Sequence, residues 1–258
     1  MFRLIYLKFI SIIDSNMLKK LYFQILNRPL LYLIIYGLIL RVFVLIFYNG
    51  ITIYPDSAAY IELSKLLSNF SLENYTGERT PGYPILIALA AGNLNLTVFI
   101  QTVLGLISIL LIYDFSKLNT KNKALSFWIS IIFASFLHII FFEFAILTET
   151  LSLFFVLLSF WYIKKYNLIG ANASLKHAFV LSIILSFLYV TRPIFIYFPT
   201  GFFLFYLVKN FSYGFKRIIF KATVFIILPF LSYYTWCSIN EKNIGYFAST
   251  YFLGVNLS

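Results

Sequence analysis

Cysteine is almost missing from this chain. Its one cysteine, Cys237, excludes an internal disulfide and any cysteine-based metal site. Histidine is nearly as scarce, and His138 and His177 have no further histidine at metal-ligand spacing. His138, on an apolar run, reads as a hydrogen-bonded packing residue, and the sequence calls for no metal or cofactor. Charge is short as well, at 11% of residues against about 25% in soluble domains. Period-two alternation is also lacking, which excludes a porin-like barrel.

What fills the chain is hydrocarbon: 61% of its 258 residues are hydrophobic and 21% aromatic, with a mean hydropathy of +0.89. Apolar runs longer than the roughly 18 residues of a spanning helix recur along the whole length, so a signal peptide or single anchor does not account for them. The expected class is an all-α, polytopic membrane protein.

Residues 1–28 mix large apolar side chains with Arg3, Lys8, Lys19, Lys20 and Arg28, the composition of an amphipathic segment on an anionic membrane surface. No small-residue cleavage site follows, so this end is expected to be retained. Residues 29–258 form the membrane module. Its first span is expected over 29–48, with Arg41 inside it, either facing protein or water or snorkelling to the nearer interface. Later spans are expected over 96–116, 124–142, 150–163, 177–191, 194–208 and 219–238, about seven crossings in all. The run 85–91 is too short to cross about 30 Å of hydrocarbon and is expected to be re-entrant or interfacial, inside a long first outer loop over 49–95.

Charge distribution fits that count. With the N-terminus cytoplasmic, the inner segments (1–28, 117–123, 164–176 and 209–221, with the adjoining Asp114) hold fifteen basic residues and only the acids Asp14 and Asp114. The outer segments hold Lys65, Arg79, Arg192 and Lys242 with Asp56, Glu62, Glu73, Glu78, Glu143, Glu149 and Glu241. Cytoplasmic loops collect Lys and Arg, so the net charge of +11 is a topology signal and no nucleic-acid partner is needed. The expected location is the cell (inner) membrane, with any active site extracytoplasmic.

The longest polar interval is Tyr54 to Pro84. Asp56, in Pro55-Asp56-Ser57, either caps a helix or takes a proton from an acceptor hydroxyl, and the two roles are compatible. Glu62 and Glu73 read as a solvated face; Glu78 is the best of the three glutamates because it adjoins Arg79 and the turn back to the bilayer. Arg79 is a candidate phosphate clamp or an interfacial anchor. Glu143 and Glu149 flank an apolar turn and need cationic partners, for which Arg79 and Arg192 are expected. Arg192 sits in Thr191-Arg192-Pro193, where proline interrupts the apolar run.

Taken in order, Pro55-Asp56-Ser57-Ala58-x-Tyr60, Arg79-Thr80-Pro81-Gly82-Tyr83-Pro84, Thr148-Glu149 and Thr191-Arg192-Pro193 resemble the GT-C-fold membrane glycosyltransferases. The resemblance is to the bacterial branch similar to dolichyl-phosphate-mannose protein mannosyltransferases and lipid A aminoarabinose transferases, and it covers roughly residues 30–258. It implies transfer, with inversion, of a sugar from a polyprenyl-phosphate donor to a lipid, protein or glycan acceptor on the extracytoplasmic face. It implies Asp56 as the catalytic base and Arg79, Arg192, Glu149, Glu78, Tyr83 and Glu143 as substrate-binding positions. Members of that family usually extend well past the segment matching Gly245 to Leu257, so the chain is expected to carry the conserved module without the C-terminal part. Two other classes compete: a transporter or flippase of lipid-linked sugars, which would scatter polar residues at mid-membrane depth, and a non-catalytic partner subunit.

Overall fold

The computed structural model describes residue 20, residues 24–48 and residues 50–252, and the segment 1–28 lies largely outside them. The protein is all-helical, with no strand among the described residues beyond one isolated bridge, Thr52 to Ala145. From Pro29 onward the helices are α1 (Pro29–Phe47), α2 (Pro55–Ser68), α3 (Gly82–Leu89), α4 (Leu94–Thr120), α5 (Lys123–Ala134), α6 (Leu137–Glu143), α7 (Glu149–Lys165), α8 (Leu175–Thr191), α9 (Tyr197–Asn210) and α10 (Phe215–Ile244). A 3₁₀ turn, Pro193–Ile196, leads into α9, and another, Phe211–Tyr213, leads out of it.

Among the described residues, four helical stretches are long and apolar enough to cross a membrane: Pro29–Phe47, Leu94–Thr120, Pro193–Tyr213 and Phe215–Ile244. The packing pattern suits that setting. Large apolar side chains face outward, Phe47 and Val208 among them, while Ser108, Ser126, Ser130 and Ser159 are buried. Each of these serines returns its hydroxyl to the carbonyl four residues earlier. Small polar residues inside and hydrocarbon outside is how helices associate in lipid, where burying apolar surface gains little.

Local sequence explains the boundaries. Pro29 opens α1 at a position where its missing N–H costs nothing. Asn93 and Asn122 cap α4 and α5, each side-chain oxygen accepting two backbone N–H bonds. The single span expected over 124–142 is instead two helices, α5 and α6, bent by 59°. No proline is needed: Ser135 hydrogen-bonds Tyr36 and the Ile131 carbonyl, and the ladder tightens there to Phe136 N–H on Phe133 O. The run expected over 85–91 begins earlier and forms the eight-residue helix α3, about 12 Å long.

The molecule has two chemically distinct ends. At one, Asn210 donates to Ile169 O and Lys221 to Ala171 O, tying the α7–α8 connection to α9 and α10, while Trp161 donates to Asp114 across α7 and α4. This end carries Lys117, Lys121, Lys123, Lys164, Lys165, Lys176, Lys209, Lys216, Arg217 and Lys221, with Asp114 as its acid. At the other end α2, α3, the 144–148 strap and the turn at 191–194 close around a polar pocket.

Candidate functional site

The pocket encloses about 270 Å³ and draws its walls from five separate segments. Asp56 and Tyr60 come from α2, Glu78 to Thr80 from the loop before α3, Leu147 to Glu149 from the start of α7, and Thr191 to Ile194 from the end of α8. Thr250 and Phe252 close it. Asp56, Glu78, Arg79, Glu149 and Arg192, expected as site residues from the sequence, therefore meet in one place.

Asp56 lies in the first turn of α2, one residue after Pro55. It does not cap the helix: Tyr54 holds that position, and Ser57 Oγ accepts from Tyr54 N–H. Its carboxylate instead pairs with Arg79, Nη2 to Oδ1 at 2.7 Å, with Asp56 59% exposed and Arg79 20% exposed. Tyr60, one helical turn on and hence on the same face, lies beneath the Arg79 guanidinium at 5.0 Å, a cation–π contact. Burial pushes the Tyr60 phenol above its ordinary value, so it stays protonated at neutral pH and can donate to a ligand.

Arg79 is delivered by close backbone docking. The Tyr75 hydroxyl donates to the Arg79 carbonyl, and Gly82 lies so near the end of α8 that a Cβ there would sit 2.6 Å from Thr191 N and from Val190 C. Only glycine lets the start of α3 approach this closely, and the approach sets Arg79 beside Arg192. Arg192 ends α8 in an extended conformation before Pro193 and pairs with Glu149 at 3.2 Å. Glu149 sits in the first turn of α7, where the helix dipole favours a negative charge. Arg79 Nε and Glu149 Oε2 are buried without a partner among the described residues, which leaves hydrogen-bonding capacity for a ligand. With Glu78 half-buried in the same wall, three carboxylates face two guanidiniums. Glu62 and Glu73 are exposed, as a solvated face should be.

Two residues expected at the site are elsewhere. Glu143 is fully buried, and its partner is neither Arg79 nor Arg192 but Arg41, which reaches it through Nη2 at 2.5 Å and Nε at 2.8 Å. Arg41 therefore does not snorkel; it is 4% exposed and its remaining contact is the Gly37 carbonyl. Tyr83 is likewise fully buried, donating to Gln101 Oε1 at 2.5 Å and packing edge-on against Tyr60. Gln101 in turn donates to the carbonyls of Glu143 and Ala145. The 144–148 strap is completed by Thr52 on Phe144 and Ile146 and by Ser57 Oγ on the Ile146 carbonyl. Glu143 and Tyr83 thus hold the strap and α2 in place and do not line the pocket.

Some walls escaped the sequence reading. Tyr60 carried a signal, its i+4 spacing from Asp56. Thr250 and Phe252 carried none, because they reach the pocket only when the chain after α10 folds back. That same stretch, with Pro193 and Ile194, also borders a second, mainly apolar cavity of about 550 Å³ lined by Tyr197, Phe230, Tyr233 and Phe247. Pro193 and Ile194 belong to both cavities and form the sill between them.

No protein-family model, no curated protein and no solved structure matches this chain.

Proposed function

We propose that the chain is an inverting glycosyltransferase that moves a sugar from a polyprenyl-phosphate donor to an acceptor hydroxyl. The observation that carries this reading is the adjacency of a two-arginine polar pocket and an apolar groove across the Pro193–Ile194 sill. A prenyl phosphate is an anionic head on a hydrocarbon tail, and the two cavities suit its two parts.

In this mechanism Arg192 and Arg79 hold the carrier phosphate. Both arginines are engaged by carboxylates, but exposed ion pairs are worth only about 0–1 kcal/mol, and a phosphate binds a guanidinium through stronger, bidentate contacts. Phosphate taking Arg79 frees Asp56. Asp56 then accepts the acceptor hydroxyl's proton as that oxygen bonds the anomeric carbon in line. The bond from the anomeric carbon to the phosphate oxygen breaks, its electron pair stays on the polyprenyl phosphate, and the arginines stabilise the charge that develops. The leaving group is already a phosphate, so no strong general acid is required. Tyr60 donates to the sugar or phosphate, and Glu149 and Glu78 orient the arginines.

The reading brings with it a topology of seven crossings, at α1, α4, α5–α6, α7, α8, the Pro193–Asn210 stretch and α10. The N-terminus and the lysine-rich end are cytoplasmic and the pocket is extracytoplasmic, in the cell (inner) membrane. The transport alternative gains no support from Arg41 and Glu143, whose charged atoms are sealed against each other and against protein.

The test is transfer in proteoliposomes from a panel of undecaprenyl-phosphate-linked sugars. Asp56→Asn and Arg192→Ala should each lower the rate by about a hundredfold or more, the range for removing a general base or an oxyanion-stabilising group. Wild-type rates in both variants would overturn the proposal.

A further inference from the structure

After α10 the chain turns at Gly245 and runs back along the helix as a short strap. Few segments are tied so closely. Asn240 Nδ2 donates to the carbonyls of Ala248 and Ser249 at 2.7 and 3.1 Å, and Trp236 Nε1 donates to Ser249 O at 3.0 Å. The Ser249 hydroxyl meets the Tyr189 hydroxyl at 2.9 Å, and Tyr251 N–H donates to the Gly77 carbonyl at 2.7 Å. Asn240 and Tyr189, which anchor it, are fully buried.

The two directions of the strap differ. Thr250 and Phe252 line the polar pocket, whereas Phe247, Ala248 and Ser249 line the apolar groove. One stretch of backbone therefore borders both cavities, as the Pro193–Ile194 sill does. A ligand filling both would pass these shared segments.

We infer that the Phe247–Phe252 strap is the specificity-determining wall of this site, admitting ligands that join an anionic head to an apolar chain and setting how much the chain adds to binding. The inference rests on the reading of the pocket as a prenyl-phosphate site. Chain selectivity then comes from packing against the strap, because a chain already dissolved in lipid gains little from leaving water.

The experiment measures binding of geranyl, farnesyl and undecaprenyl phosphate to the full chain in nanodiscs, on a mole-fraction scale. Wild-type affinity should rise by about tenfold along the series, a difference readily resolved. Ala248→Trp, which fills the groove from the strap, should flatten the series, weakening undecaprenyl phosphate most and geranyl phosphate least. Phe247→Ala, at a partly exposed position of the same wall, should do the same and serves if Ala248→Trp fails to fold. Variants that keep the wild-type chain dependence, or that weaken all three ligands equally, overturn the role of the strap. A wild-type protein that binds none of the three overturns the prenyl-phosphate reading itself, and the inference with it.

Discussion

Arg41–Glu143 and Arg79–Asp56 are the same chemical pair in two settings. The first is closed: both side chains are almost fully buried, the contact is two-pronged, and α4 leaves space for it only because residue 105 is glycine, where a Cβ would stand 1.9 Å from Glu143 Oε1. The second is open, with a single close contact and a carboxylate more than half exposed. Burial decides what each can do. A buried charge that loses its partner has nowhere to go, so the closed pair is fixed architecture. The open pair can exchange partners with any anion that reaches it, so it suits a site.

The largest effect should come from breaking the closed pair. Glu143→Ala strands Arg41 and should cost about 3–5 kcal/mol, read as a fall in the thermal unfolding temperature in detergent. Replacing both partners, Arg41→Met with Glu143→Leu, should recover most of that stability, since apolar pairs of similar volume often match a buried ion pair. Equal losses in the single and double variants would mean that the charges themselves are required.

A smaller effect tests the link between the two settings. Tyr83→Phe removes the bond to Gln101 and leaves a buried acceptor, which should cost about 1–3 kcal/mol. It should also lower transfer, because Tyr83 packs against Tyr60 and Gln101 holds the strap that leads to Glu149. A variant that loses stability with no change in transfer would separate the scaffold from the site.

The smallest change belongs to the open pair. Asp56→Asn should leave the unfolding free energy within about 1 kcal/mol of wild type. It should tighten binding of undecaprenyl phosphate by up to about fivefold, because Arg79 no longer has a competing carboxylate. Weaker binding in that variant would show that Asp56 supports the anion site and does not compete for it.

Much of this was legible in the residues. The helical membrane class follows from long apolar runs, and the convergence of Asp56, Glu78, Arg79, Glu149 and Arg192 follows from charges that sit where those runs end. Pairing was legible only in part: Glu149 meets Arg192 as expected, whereas Glu143 meets neither outer arginine. Glu143 and Glu149 look alike in sequence, six residues apart in one apolar turn, yet the 59° bend at Ser135 aims Glu143 inward to Arg41 while Glu149 opens the next helix at the pocket. At that bend Ser135 meets Tyr36 of α1, a tertiary contact that no local pattern encodes. Tyr83 misled for a related reason: it neighbours Arg79 in sequence, but the helix that starts at Gly82 rotates it to the opposite side. The strap residues were invisible because their role arises from folding back, and Phe247-Ala248-Ser249-Thr250-Tyr251-Phe252 does not announce a turn against a distant loop.

The bond from Tyr251 to Gly77 has a consequence for biosynthesis. The pocket's walls leave the ribosome in four instalments, near positions 56–80, 147–149, 191–194 and 250–252. Asp56 and Arg79 can pair as soon as the first emerges, but no enclosed site exists until the last has been inserted and has closed over Gly77. A nascent chain halted before the strap would thus display its charged groups to solvent without the last wall of the pocket.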